Sequence, residues 1–492
     1  DMICAADTVG VFQIESRAQM SMLPRLQPRE FYDLVVEVAI VRPGPIQGGM
    51  VHPYLQARER RRRGEPLELE KPELEAALAR TLGVPIFQEQ VMQIAMVAAG
   101  FSAGMADDLR RSMAAWKRKG GVHRFERPLI GGMEARGYRT EFAQAIFQQM
   151  LGFGEYGFPE SHAHSFALLA YASSWLKCHE PACFLAALLN SLPMGFYSAS
   201  QLVQDARRHG VRVLPIDVTV SDIDCTLEGN PEPLRPARGL GAPPLPQPAV
   251  RLGLRMVSSL HADAAKRLLQ ARATGPAFAS TEDLALRAQL SQQDLQALAA
   301  ADALASLSGH RRQQMWDAVA QHAAPPLWRN VPVHEAPLQL PEAPEGEEVL
   351  FDYAATGLTL RRHPLALLRP RLARWRLQTA LQLHNAAHGR KVRACGIVTV
   401  RQRPGTAKGT MFVTLEDETG PVNVIVWPAM VDVWRNALLR SQLLAVEGVW
   451  QCSPGALGSK AMVRHLVAQR FKDLTPLLGR MAQALQGSRD FH

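Results

Sequence analysis

The sequence predicts a multidomain chain that is mainly α-helical over its first two thirds and ends in a small all-β barrel. Three observations carry this expectation. Leu168, Ala172 and Trp175 recur at three- and four-residue spacing, the period of one helix face, inside an apolar stretch that runs to Asn190. After position 390, five short strand-like runs are separated by turns at Pro404-Gly405, Thr419-Gly420 and Pro454-Gly455. Between these regions lie a Gly/Pro-rich break at 229–248 and a stretch rich in proline, alanine and glutamate at 321–346, which read as a subdomain loop and a linker. At roughly 150 residues per domain, a chain of 492 residues holds about three domains.

Hydrophobic residues make up 47% of the chain, enough for sizeable cores. Its six cysteines are scattered with no CxxC spacing, which points to a reducing compartment and not to a disulfide framework. No signal-peptide pattern and no apolar run long enough to span a bilayer occurs, so a cytoplasmic location without a membrane partner is expected. A formal charge of +9 and a pI near 9.4 point to a polyanionic partner. Arg58, Arg60, Arg61, Arg62 and Arg63 form one basic block, and Arg110, Arg111, Lys117, Arg118 and Lys119 another. A charge run standing alone reads as a solvated face.

The stretch Tyr156–Asn190 reads as a polar loop mounted on a helical hairpin. Glu160, Ser161, His162, His164 and Ser165 supply the polar cluster, and Pro181 suits the first turn of the second helix, where its missing N–H costs nothing. His162 and His164, followed by Cys178, His179 and Cys183, admit a metal-site reading. Closed zinc sites favour ligands paired at short spacing with a second pair to match, and free cysteines ordinarily act as small core hydrophobes. No metal site is therefore expected.

Five ordered segments carry a resemblance. They are DTVGVFQIESRAQM at Asp7–Met20, VRPGPIQGGMVHPY at Val41–Tyr54, IFQEQVMQIA at Ile86–Ala95, ADDLRRSMAAWKRK at Ala106–Lys119 and YGFPESHAHSFALLAYASSWLKCHEP from Tyr156. Together they resemble the fingers domain of bacterial C-family DNA polymerases, the family of the DNA polymerase III alpha subunit. Replicative members carry a lysine before the Ser-His of the last segment, whereas Glu160 stands here, and the PESHAHSFA form is similar to the error-prone, damage-induced branch. The resemblance implies a DNA-directed DNA polymerase, a nucleotidyltransferase that extends primer-template DNA with deoxynucleoside triphosphates across damaged template. It also implies Mg²⁺ held by three palm aspartates whose motifs lie upstream of anything present, so the chain reads as a C-terminal fragment without catalytic residues. Asp107 and Asp108 are the adjacent acids nearest to a substitute pair. Successive helix residues diverge by about 100°, so they read as helix-start residues favoured by the dipole.

Nucleotide-binding residues follow from the same resemblance. Arg42 precedes Pro-Gly-Pro, a stiff turn that suits phosphate recognition, although a plain surface turn explains it equally. Arg110, Arg111 and Lys117 lie within two helical turns, and the matching family arginines approach the incoming triphosphate. Tyr156 and His162 match residues lining the same pocket, Tyr156 against sugar or base and His162 donating to a phosphate. Glu160, replacing a lysine, is expected to loosen nucleotide grip. With the family in view, Arg60, Arg61, Arg62 and Arg63 become candidate DNA contacts.

The organisation that results is a fingers domain over 1–194, a helix-hairpin-helix region over 195–320, a linker and connecting segment over 321–388, an OB-fold domain over 389–470 and a tail over 471–492. VRVLPIDVTVSD carries a short strand pattern ended by Pro215. Leu252–Ala273 and Thr281–Leu307 resemble the family's tandem hairpins, which bind duplex backbone through main-chain N–H groups at glycine turns. Here Ser258 and Ser259 precede Leu260, and Ala301 and Asp302 precede Ala303, so packing is expected to survive better than DNA grip. No glutamine-led clamp-binding peptide is visible, which fits a branch that reaches the sliding clamp through an accessory Y-family-like protein. The runs Lys391–Val400, Thr410–Glu416, Pro421–Trp427, Ser441–Gln451 and Ala461–Val467 resemble an OB-fold barrel, a common single-strand binder. Lys391, Arg393, Arg401 and Arg403 supply its candidate DNA contacts, with Arg390 and Lys408 beside them. Phe412, Trp427 and Trp450 either stack on bases or fill the barrel core. The tail from Lys472 reads as a short helix. A different class of function stays open: a non-catalytic nucleic-acid-binding module derived from such a polymerase.

Overall fold

The computed structural model describes residues 1–41, 51–114, 123–152, 159–194, 197–232, 246–320, 338–407, 409–456, 462–485 and 489–491. Arg42, Lys117, Tyr156 and Lys408 lie outside the described residues, as does most of the Gly/Pro-rich break and of the linker. Two units result: Asp1–Trp175 with Gly405–Lys408 and Cys452–Val463, and Leu176–Pro404 with Gly409–Gln451 and Arg464–His492. The division falls inside a helix, where the sequence placed a boundary at 194.

In the first unit Ser16 caps α1 (Arg17–Leu26) through a reciprocal box with Gln19. α2 (Phe31–Ile40) is buried at eight successive positions from Asp33 to Ile40, so it forms the core of this unit. α3 (Val51–Arg62) lies against α1, and α4 (Gln88–Ala99) begins in the IFQEQ motif. Gln90 explains that motif. Its Oε1 accepts from the N–H groups of Ile86 and Phe87 at 2.8 and 3.1 Å, while its Nε2 donates to the Ala77 carbonyl and the Thr81 hydroxyl. α5 (Ala103–Ala114), α6 (Glu126–Ala135) and α7 (Thr140–Gly152) complete the bundle. Gly132 is required where α6 meets α4, because a Cβ there would lie 2.3 Å from the Ala99 carbonyl oxygen. α8 (Glu160–His179) follows.

α8 corrects one expectation. Leu168 and Trp175 share a face as predicted, but that face is 59% and 47% exposed, and Ala163, Ala167, Ala170 and Ser174 form the buried side. Periodicity identified the stripe without identifying what it faces.

The second unit contains α9 (Pro181–Asn190), with Pro181 in its first turn as expected, and α10 (Ala199–Arg208). The strand pattern before Pro215 becomes a two-residue strand, β1 (Val213–Leu214). It pairs in parallel with β3 (Gln247–Arg251), which pairs antiparallel with β2 (Thr226–Glu232). The hairpin region comprises α11 (Ala262–Thr274), α12 (Thr281–Ala288), α13 (Gln292–Ala300) and α14 (Arg311–Ala320), packed on Leu268, Leu284, Leu295 and Leu298. α15 (Glu345–Thr356) and α16 (Pro364–Arg374) fill the connecting segment.

The final module is a closed barrel. β4 (Lys391–Gln402), β5 (Met411–Asp417), β6 (Gly420–Val426), β7 (Leu443–Pro454) and β8 (Met462–Asp473) run in the sheet order β5-β6-β8-β7-β4, and β4 also pairs with β5. All five begin within two residues of the expected starts. Gly448 is needed where β7 meets β8, since a Cβ would sit 2.0 Å from the Val467 oxygen. The tail is only partly helical: Thr475–Leu478 and Met481–Ala484 are short turns, and β9 (Arg489–Phe491) pairs in parallel with β4.

Candidate functional site

α5 carries the candidate triphosphate residues. Asp107 is its fifth residue, one turn inside the helix, which corrects the expectation of a helix-start residue. There its two oxygens hold two guanidinium groups, Arg110 at 2.7 Å and Arg111 at 2.7 Å. The Arg110 hydrogen bond holds the Asp107 carboxyl below the ordinary range. Arg111 remains 70% exposed, so the trio presents a net positive, oriented N–H array to solvent.

The polar cluster expected on a loop lies instead in the first two turns of α8 itself, and Glu160 organises it. Its Oε1 accepts from the Tyr32 hydroxyl at 2.9 Å and pairs with Arg80 at 3.0 Å, while its N–H donates to Glu89. Arg80 lies 4.0 Å over the Tyr32 ring. Burial, then the Glu160 contact, pushes the Tyr32 hydroxyl far above its usual range. Thus Glu160 has a structural partner set of its own, which its reading as a lysine replacement that loosens nucleotide grip did not include. His164 Nδ1 donates to the Glu160 carbonyl at 3.0 Å, and its ring packs beside Phe31 and Tyr32. His162 is exposed and meets Phe166 edge-on at 4.4 Å.

The arginine block on α3 divides by position. Arg58 grips Asp33 with both η nitrogens and donates to the Leu26 and Gln27 carbonyls. Arg62 donates to the Arg25 and Leu26 carbonyls, and burial lowers its guanidinium pKa. Cations at the end of α1 are favoured by its dipole, so Arg62 is a helix-end clasp. Arg60, paired loosely with Glu68 at 3.7 Å, and Arg61 and Arg63 stay exposed.

Both hairpin turns adopt the left-handed backbone that favours glycine, at Ser259 (φ 66°) and Asp302 (φ 61°). The Ser258 N–H donates to the Ala355 carbonyl at 2.7 Å. Asp302 accepts from Gln314 and from Arg361, both within 2.8 Å. Arg361 and the buried Arg311 also pair with Asp352. Arg361 of the connecting segment therefore locks the second turn to α15.

On the barrel, Arg401 is a correction. It is 6% exposed and its guanidinium donates to the Leu438 and Ser441 carbonyls, so it ties a strand to a loop and faces no solvent. Arg393 and Lys391 lie on the exposed side of β4, Arg393 paired with Glu447 at 2.7 Å, and Arg403 is exposed. Trp450 is 2% exposed and fills the core, whereas Trp427 is 53% exposed. Sequence reasoning missed Arg374, Trp375, Arg376, Arg470 and Lys472, which converge from stretches a hundred residues apart into one groove on this module.

A divalent ion of polymerase chemistry needs free carboxylate oxygens. Beside the candidate nucleotide residues, Asp107 is held by two arginines and Glu160 by Arg80 and Tyr32, so these acids do not fit as its ligands.

A helical N-terminal unit, paired hairpin turns and a closed OB barrel follow one another along the chain, and three family models match them in that order. The bacterial DNA polymerase III alpha subunit finger domain matches residues 1–137, the helix-hairpin-helix motif 210–314, and the OB-fold nucleic acid binding domain 392–474. Proteins named error-prone DNA polymerase are similar over 100% of this chain: 60% identical from Bordetella bronchiseptica, 60% from Burkholderia pseudomallei and 56% from Methylococcus capsulatus. The chain covers 45%, 44% and 46% of those three proteins. It is a relative of the error-prone DNA polymerases along its whole length and spans less than half of theirs.

Proposed function

We propose that this chain supplies the nucleotide- and DNA-contacting half of a template-directed DNA polymerase that extends primers across damaged template. The exposed Arg110–Arg111 pair, oriented by Asp107 within the finger-matching residues, carries the reading. In this reading both guanidinium groups neutralise the triphosphate of an incoming deoxynucleotide, with Arg42, Lys117, Tyr156 and His162 around it. Arg60, Arg61 and Arg63 and the barrel's Lys391, Arg393 and Arg403 contact primer-template DNA. Mg²⁺ and its carboxylate ligands come from outside residues 1–492. The enzyme acts in the cytoplasm in the response to DNA damage, and an accessory Y-family-like protein links it to the sliding clamp. Among the described residues no helix is long and apolar enough to cross a membrane.

The test is Mg²⁺-dependent primer extension on intact and abasic templates, comparing this chain with the longer protein that contains it. Extension by the longer protein alone is expected, with Arg110→Ala and Arg111→Ala each raising KM for the nucleotide about ten-fold, the loss of one charge-assisted contact, at unchanged primer-template affinity. Weakened DNA affinity with unchanged KM would move the pair to the DNA. Failure of the longer protein to extend any primer would leave the non-catalytic binding module.

A further inference from the structure

The groove on the barrel module points to a binding track that no domain match assigns. It encloses about 560 Å³ between the end of α16 and the exposed faces of β4, β7 and β8. Arg374, Arg376, Arg393, Arg470 and Lys472 line it. A second groove of about 560 Å³ shares Arg376 and Arg393 and continues to Arg390 and Lys391. The one acid in both linings, Glu447, is already paired with Arg393. The result is a continuous cationic strip.

Aromatic rings interrupt the charges. Trp375 is 38% exposed, and the charged groups of Arg371 and Lys472 sit 5.7 and 5.4 Å from its ring. Trp434 packs against Phe471 deeper in the groove, at 6.1 Å. Cations set around an accessible ring suit an unpaired strand, whose phosphates meet the charges and whose base stacks. A duplex hides its base faces.

The wall is rigid. Leu372 and Leu377 are buried in the barrel core with Cys395, Leu443 and Leu474, and the Gln378 N–H donates to the Arg393 carbonyl at 2.8 Å. Arg369 grips Glu418 with two nitrogens. The chain leaves α16 through a turn closed by Arg376 N–H to Ala373 and Leu377 N–H to Leu372, which sets Arg376 at φ 57°. Glycine ordinarily occupies this position, yet an arginine stands there with its side chain in the groove.

We propose that this groove, on the β4–β7–β8 side of the barrel, binds single-stranded nucleic acid, its arginines and lysine on phosphates and Trp375 stacked on a base. The usual OB surface is the side of the second and third strands, here β5 and β6, with Phe412 and Trp427 near it. This inference rests on the nucleic-acid reading of the barrel and not on the polymerase reading.

The experiment is fluorescence anisotropy of the 492-residue chain with labelled oligo-dT and oligo-U of about 12 nucleotides, within the span of one OB module, over a salt series. Arg376→Gly removes the cation and relieves its backbone, so stability is kept. It should weaken binding about ten-fold and reduce the salt slope by about 0.7. Trp375→Ala should weaken binding about five- to hundred-fold at unchanged slope, and Trp375→Phe should restore most of it. The ratio of dT to U affinity identifies which polymer the groove takes. Loss of binding in Trp427→Ala with Arg376→Gly unaffected would place the strand on β5–β6 and overturn the inference while sparing the nucleic-acid reading. Equal displacement by polyglutamate with Trp375→Ala unaffected would overturn it in favour of an acidic polypeptide. No binding by the wild-type chain at low salt would remove both.

Discussion

His363 makes α16, the wall of that groove, sensitive to acid. It caps the helix with its side chain: Nδ1 accepts the Leu365 N–H at 3.2 Å, which only a neutral imidazole does. The ring is 8% exposed, and burial lowers its pKa from 6.5 to about 4. Between those values the unfolded histidine binds a proton that the folded one refuses. The stability is therefore complete above 6.5 and declines as the pH falls towards about 4. The drop from 6.5 to about 4 corresponds in full to about 3 kcal/mol, and by pH 4, where the folded ring is half protonated, to a factor of about a hundred in the opening constant of α16.

The comparison variant is His363→Asn, which keeps an acceptor at the cap and does not titrate. Buried Glu416 and His363 line one small cavity of about 60 Å³, and burial raises the Glu416 carboxyl pKa, an effect of opposite sign with pH. Only the difference between the two proteins isolates the histidine. Hydrogen exchange across 363–374, corrected for the intrinsic pH dependence of exchange, should show wild-type protection falling about a hundredfold more than the variant's between pH 7 and pH 4, the energy of the shift. Parallel declines would refute the reasoning. So would an imidazole C2–H resonance of His363 titrating near 6.5.

Other expectations follow from the contacts. Arg58→Ala strands the Asp33 carboxylate, and urea unfolding of the variant should show a loss of about 3 kcal/mol with little dependence on salt. Burial alone would raise the Asp33 carboxyl, but Arg58 and the Arg29 and Glu30 N–H groups bring it below its usual value, so the wild-type advantage should fade as pH drops through that lowered range. Gln90→Ala leaves the Ile86 and Phe87 N–H groups and the Ala77 carbonyl unmet, and denaturation should show a loss of about 2 to 4 kcal/mol from two or more unsatisfied groups. Arg401→Ala should destabilise the barrel by about 2 kcal/mol, whereas Arg403→Ala should change its melting by less than about 0.5 kcal/mol. Equal effects of the two would mean that Arg401 is not the buried tie described.

The barrel was the most legible part of the fold. Alternating apolar residues and Gly-marked turns fixed all five strand starts, because a half-buried strand has a period of two that few other structures share. Pro181 announced α9 for an equally local reason. The exposed face of α8 was not legible, since periodicity gives a stripe and no partner. Nor was the burial of α2, because Asp33 and Glu37, four residues apart on one helix face, read as a polar side and are both buried. The role of Gln90 was hidden too, because its four partners lie before it in chain order and converge only after folding.

Charge shows most sharply what sequence cannot assign. Arg62 and Arg63 are neighbours in one basic run, yet one clasps the end of α1 and the other faces water. Arg401 and Arg403 are two residues apart and differ in the same way. A guanidinium can satisfy backbone carbonyls as readily as phosphates, so a basic run counts cations without separating them. The groove reverses the case: Arg374, Arg393 and Arg470 stand in three separate stretches, and only the closure of the barrel brings them together. The nucleic-acid surface of this chain is thus better sought where scattered cations meet exposed rings than where arginines are consecutive.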